Sequence, residues 1–197
     1  MYIDNLVLPE NPKILHIAPE PGIYKAVANK FKSPNYVVAD LFPENFSFVK
    51  NCKTIDLTNL DNELTGEYDL IMHCHVMEHI PCNIAYTLYH LHRMLKTNGK
   101  HVCIIPFMGG FYDECFQVIS DKERIRRFGQ NDHVRRFGRE DINMHLGKII
   151  NVPNQFDARE TFSESVLKDA NIPEKEWTGF GTSTVLLLNR LDMKFLL

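Results

Sequence analysis

The sequence predicts an α/β fold built on a mostly parallel sheet, and three observations predict it. Short apolar runs rich in branched residues alternate with helix-length stretches, the pattern of parallel βα units. Between Ile84 and Leu95 the residues Ile84, Leu88, Leu91 and Leu95 follow at spacings of four, three and four, so one stripe of a helix can face a sheet. Tyr24, Val27 and Phe31 repeat that stripe more weakly behind the first apolar run, giving a strand, a tight turn and a helix.

Taken in order, five runs read as strands: Lys13 to Ala18, Tyr36 to Asp40, Lys53 to Leu57, Tyr68 to Cys74 and Lys100 to Pro106. Thr184 to Asn189 reads as a terminal strand, and Lys148 to Val152 is a weaker seventh. The first helix is expected to begin just after Gly22, and Asn98-Gly99 to mark the stop of the helix that starts near Ile84. Phe107 to Glu140 breaks the rhythm, and an insertion of that length usually carries function or moves.

A chain of 197 residues, 44% of them hydrophobic, is expected to form one domain over residues 1–197 around a single core. The formal charge of −3 lacks the basic excess of a general nucleic-acid binder, so no nucleic-acid partner is expected. Five cysteines, odd in number and mostly within apolar stretches, read as reduced thiols and a cytoplasmic location rather than as a disulfide framework. The start MYIDNLVLPENPK lacks the pattern of a signal peptide, and no apolar run approaches the roughly 20 residues that span a bilayer.

Ligands of an open parallel sheet bind at the carboxyl ends of its strands. Those ends offer Ala18-Pro19-Glu20-Pro21-Gly22 after the first strand, Asp40 after the second, Asp56 in the third, and His73, His75, Glu78 and His79 at the fourth. A carboxylate closing the second strand can accept hydrogen bonds from both hydroxyls of a ribose, which makes Asp40 the first choice of site residue. The alternative for Asp40 is a cap on the next turn or helix.

The succession KILHIAPEPG, YVVAD, YDLIMHCHVMEHIP and LHRMLKTNGKHVCIIP resembles the motif series of class I S-adenosylmethionine-dependent methyltransferases over about the first 106 residues. Phe128 to Gly138 (FGQNDHVRRFG), with the Ala18-Pro19-Glu20 loop, is similar to a short, type-11-like subgroup of them, some from surface-polysaccharide gene neighbourhoods. The resemblance implies a Rossmann-like seven-stranded sheet with a reversed final strand and helices on both faces. It also implies S-adenosylmethionine as cofactor, with Asp40 and Leu41 at the ribose, Asp56 and Leu57 at the adenine, and the chain around His73 and His75 at the methionine end. In the first loop His16 stands where the family carries an acid, Ala18 and Glu20 stand at glycine positions, and Gly22 remains. Glu20 is therefore assigned the cofactor's ammonium group, and Ala18 and Gly22 the close backbone approach. A second reading of the same departures is a non-catalytic Rossmann-like binding protein.

Lys122 to Glu140 carries seven basic residues against three acids. Most of its arginines are expected to pair with neighbouring acids on a solvated face. His133 and Arg135, together within the matched segment, are assigned to the acceptor side, His133 as a base and Arg135 as an anchor for an anionic group. The expected acceptor is a small, anionic or sugar-type molecule, including a phosphate- or nucleotide-linked sugar. The letters His75-Val76-Met77-Glu78-His79 also match the pattern of inverted zinc peptidases, with His73, Cys74 and Cys82 as further ligands. That chemistry needs both histidines on one helix face, whereas His75 follows a strand and Pro81 lies just beyond His79. No metal is expected, and His79 is read as a helix-start or site-wall residue.

Overall fold

The computed structural model describes residues 1–195. Its main sheet has six strands, β1 (Ile14–Ile17), β2 (Tyr36–Asp40), β3 (Cys52–Thr54), β4 (Tyr68–Cys74), β5 (Leu95–Ile104) and β9 (Val185–Asn189), in the order β3-β2-β1-β4-β5-β9. The first five are parallel, with Ile17 beside Ala39 and His73, and β9 runs antiparallel to β5. The reversed last strand is as expected, but no seventh strand joins the sheet among the described residues. Leu146–Ile149 is instead a short helix (α5), and Ile150 makes only an isolated bridge to Met193. Leu146, Ile149 and Ile150 are all buried, so a helical spacing of three and four fills the core where Pro153 would have cut an edge strand short.

Alternation along the strands divides the core in two. Leu15, Ile17, Ile71 and Cys103 meet Ile84, Leu88, Leu91 and Met94 of α3 (Ile84–Met94) on one face. Ile14, Leu70, Met72 and Val102 meet Val27 of α2 (Pro21–Phe31) and Leu6 on the other. Full burial of each such side chain is worth ~1.5–3 kcal/mol, which makes helices on both faces the stable arrangement. Helix α2 starts earlier than Gly22, because Pro21 has the φ of a first helical residue and needs no backbone donor there. Asn83 caps α3 by accepting from Ala85 N at 2.9 Å, and α3 ends at Met94, ahead of Asn98-Gly99. Gly99 lies within β5, where a Cβ would come within 2.8 Å of Tyr68 O.

The insertion forms a small sheet of β6 (Phe107–Met108), β7 (Asp113–Glu114) and β8 (Arg135–Gly138), in the order β6-β8-β7. Helix α4 (Asp121–Phe128) lies between β7 and β8, opened by the Ser120 cap and closed by Gly129 at φ 92°. No helix among the described residues is long and apolar enough to cross a membrane. The five cysteines are free thiols.

Candidate cofactor pocket and its histidine end

The carboxyl ends of β1, β2 and β4, with the chain that follows β3, enclose a cavity of about 460 Å³. Ala18, Asp40, Leu41, Asp56, Leu57 and His75, all singled out from the sequence, stand in its wall. Asp40 Oδ1 accepts from Phe42 N at 2.8 Å, so the turn cap is real, while Oδ2 has no partner among the described residues. Asp56 Oδ1 is similarly held by the backbone N and Oγ1 of Thr58, at 2.8 and 2.7 Å. Ile17, Ile55, Leu57, Val76 and Ile80 give the cavity an apolar lining, and Leu41 and Phe42 stand exposed beside it. Carboxylates at a rim and an apolar slot between them suit a nucleoside.

Two non-glycine residues at this edge adopt left-handed backbone, Ala18 at φ 48° and His75 at φ 51°. Each costs on the order of 1 kcal/mol or more, and such strain collects at functional loops. Ala18 thus keeps the backbone form that favours glycine although the glycine is absent. Gly22 does not line the cavity, and a Cβ there would meet nothing within 4 Å, so packing within the protein does not require it.

Glu20 precedes α2 at the N-cap position, yet its side chain does not cap the helix. Its Oε2 is buried without a partner, and so is Oε2 of Glu78, a residue only 1% exposed. Both carboxylates gather at the end of β4. Burial, followed by the charges of Glu20 and Glu78, pushes the Cys74 thiol up to about 12. The hydrogen bond to Glu78 raises the His75 pKa against the effect of burial, with Nδ1 3.4 Å from Glu78 Oε1. A buried, unpartnered carboxylate oxygen is costly, so a cationic partner fits this corner.

His73 is not part of the pocket wall. It is fully buried on the α3 face of the sheet, its ring 5.1 Å from that of His101, and neither of its nitrogens has a partner. Burial depresses its pKa to about 3 and that of His16 to about 4, and holds His101 well below the ordinary value. These are neutral core rings. His16 bonds to Tyr36 Oη at 2.7 Å, and His101 to His92 at 3.2 Å.

The assignment of Arg135 as an anion anchor is corrected by its surroundings. Its side chain has no exposed surface, and its guanidinium donates to Met77 O and Cys82 O at 2.5 Å each and to Glu114 Oε2 at 3.0 Å. Backbone of Val134 adds a bond to Glu78 O at 2.9 Å, so β8 and the residues before it clamp the loop from His75 to Cys82. Of the other arginines of the insertion, Arg127 and Arg126 pair with acids as expected, on Asp113 and Glu123, whereas Arg124 holds the carbonyls of Gln117 and His133, Arg136 that of Phe111 and Arg139 that of Phe180. His133 is 6% exposed and lies behind the wall, its ring 4.6 Å from that of His79, which lines the cavity with Asp132. The loop carrying His75 and His79 is not a helix, which removes the frame a zinc peptidase needs. Glu78, which the sequence placed at the end of the fourth strand without a role, is buried, and the wall residues Phe42 and Thr58 were not singled out, since nothing local distinguishes them from turn residues.

Compared by sequence, the chain matches no family model and no curated protein. Compared by structure, it resembles methyltransferases. A chain of the complex between a Haloferax volcanii methyltransferase activator and the protein assigned as its methyltransferase shares 13% identity, with a TM-score of 0.56 over 94% of this chain and 84% of that one. A SAM-dependent methyltransferase from Archaeoglobus fulgidus shares 15%, with a TM-score of 0.53 over 89% and 84%. The YcgJ protein of Bacillus subtilis shares 13%, with a TM-score of 0.53 over 88% and 77%. At these identities the likeness shows the fold, Rossmann-like and common to class I methyltransferases.

Proposed function

We propose that this chain is an S-adenosylmethionine-dependent methyltransferase, one domain in which residues 107–140 cap the acceptor side. The observation that carries the proposal is the cavity at the strand ends, where Asp40 presents an unpartnered oxygen beside an apolar slot. The cofactor supplies an electrophilic methyl group on a sulfonium, whose transfer needs alignment more than protein catalysis. Asp40 and Leu41 hold the ribose end, Asp56 and Leu57 the base, and the left-handed backbone at Ala18 and His75 shapes the opposite end. Glu20 offers its orphaned oxygen to the ammonium group. That orphaned oxygen and the preserved conformation of Ala18 favour a competent loop over a degenerate binding protein.

The acceptor we propose is small and reacts through oxygen, with a sugar-type molecule, phosphate- or nucleotide-linked, as the class suggested by the Phe128–Gly138 resemblance. Such an acceptor would place the chain in polysaccharide biosynthesis. Its proton would pass to the His79 and His133 pair at the end of the cavity, an imidazole lone pair acting as general base. Arg135 braces rather than binds. Titration calorimetry with S-adenosylmethionine and its demethylated product tests the reading. The wild type is expected to bind both, and Asp40→Ala to bind at least about tenfold more weakly, the loss of a charged hydrogen bond of ~1.5 kcal/mol. No heat and no thermal shift at millimolar cofactor would overturn it.

A further inference from the structure

We propose that Glu78, His79 and His133 form a binding site for a divalent first-row transition-metal ion at the acceptor end of the cavity. One ligand atom from each of the three lies within 4.8 Å of the others. Two imidazoles and one carboxylate are the donor set of open zinc and non-haem iron sites, in which the protein fills one side of the ion and leaves the other for a water or substrate oxygen.

The surroundings point the same way. His133 Nδ1 donates to Phe128 O at 3.1 Å, and a carbonyl can only accept, so the proton sits on Nδ1 and the lone pair on Nε2. His79 Nδ1 faces Asp132 Oδ2 at 3.3 Å, which turns its Nε2 away from the carboxylate. Metal-binding histidines are characteristically oriented this way, the second nitrogen held by a carboxylate or a backbone carbonyl. Glu78 supplies the anionic ligand. Its Oε2 is buried with no partner, although the residue is 1% exposed, and a bound cation would satisfy that oxygen.

The local sequence pairs His79 with His75, and on that pairing no metal was expected. Folding replaces His75 by His133, because the Val134 and Arg135 bonds to Glu78, Met77 and Cys82 lay the insertion over the loop. His75 instead faces the other oxygen of Glu78. Since His79 lines the cavity, the open side of the ion would face the acceptor and take its oxygen, lowering that oxygen's pKa as a Lewis acid does. This last role rests on the methyltransferase reading, and in it the ion would take over from the imidazoles, whose lone pairs it occupies, as the group that eases loss of the acceptor's proton; the binding of the ion does not rest on that reading.

The test is metal binding by the whole apo-protein without cofactor. Equilibrium dialysis and calorimetry with zinc alone are expected to find one equivalent, and with magnesium none, because the site offers two nitrogens to a cation that prefers oxygens. Glu78→Gln and His79→Ala are expected to weaken zinc binding tenfold or more, and His75→Ala to retain it. His79 is partly exposed, so its variant tests the site without emptying a core position. Cobalt bound to the wild type should show the ligand-field bands of a nitrogen and oxygen site without sulfur charge transfer. No bound zinc at millimolar concentration would overturn the proposal. So would wild-type affinity in His79→Ala. Sulfur charge transfer would also overturn it, assigning the ion to the buried His73, His101 and Cys103 group instead.

Discussion

Truncating Arg135 separates a brace from a substrate anchor. In Arg135→Ala the carbonyls of Met77 and Cys82 lose donors at 2.5 Å, and Glu114 loses its cationic partner at 3.0 Å. Hydrogen bonds to a charged group are worth ~1.5–3 kcal/mol each, and breaking a buried charge pair from one side costs ~3–5 kcal/mol, which we take as the total because the three bonds share one group. For a chain of this length ~1 kcal/mol moves the melting temperature by ~2–4 °C, so a fall of ~6–20 °C is expected. The assay is calorimetric or circular-dichroism melting beside Arg126→Ala, whose exposed pairing with Glu123 should leave melting at wild type. A substrate anchor would give the reverse, unchanged melting and a raised KM. Melting of Arg135→Ala within 2 °C of wild type (a shift smaller than ~1 kcal/mol produces) would refute the bracing argument.

Glu20→Gln should weaken cofactor binding about tenfold, one charge-assisted contact of ~1.5 kcal/mol, with melting unchanged or raised, since it neutralises a buried oxygen that has no partner; calorimetry that finds equal affinity would remove Glu20 from the ammonium site. Stability should fall as the pH drops through the ordinary histidine range. The unfolded chain takes up protons near pH 6.5, while the fold keeps His16 and His73 neutral down to about 4 and 3, and His101 also well below its ordinary value. Stability present above pH 6.5 is therefore lost below it, by up to ~1.4 kcal/mol per ring between pH 7.5 and 5.5, or ~4 kcal/mol for three rings. The raised pKa of His75 acts in the opposite sense. Urea melts that give the same free energy at both pH values would show that the rings are protonated in the fold.

Much of the cofactor end was legible because it depends on local order. Tyr36–Asp40 and Tyr68–Cys74 were bounded correctly from their apolar runs, and a carboxylate closing a central strand falls at the ligand edge of any parallel sheet. Of the pair read at the methionine end, His73 shares the α3 face of β4 with Ile71 and is covered by the core, while His75, two residues on and past the strand, reaches the cavity on left-handed backbone.

The acceptor end was not legible in this way. Glu78 and His79 are separated in the sequence from Asp132 and His133 by a helix, a strand and most of the insertion, and no local pattern says that they meet. The sequence by itself determined the α/β class and the carboxylates at the strand ends, because hydrophobic periodicity and strand-end chemistry are encoded within a few residues, while the reversed last strand and the helices on both faces were implied by the resemblance of its motif order. Only the tertiary structure decided that the sheet has six strands, that Arg135 is a buried clamp and that two histidines converge on an unpartnered glutamate. Those facts arise from which distant surfaces share a core and which polar groups burial leaves to pair, and both are settled when the chain closes on itself.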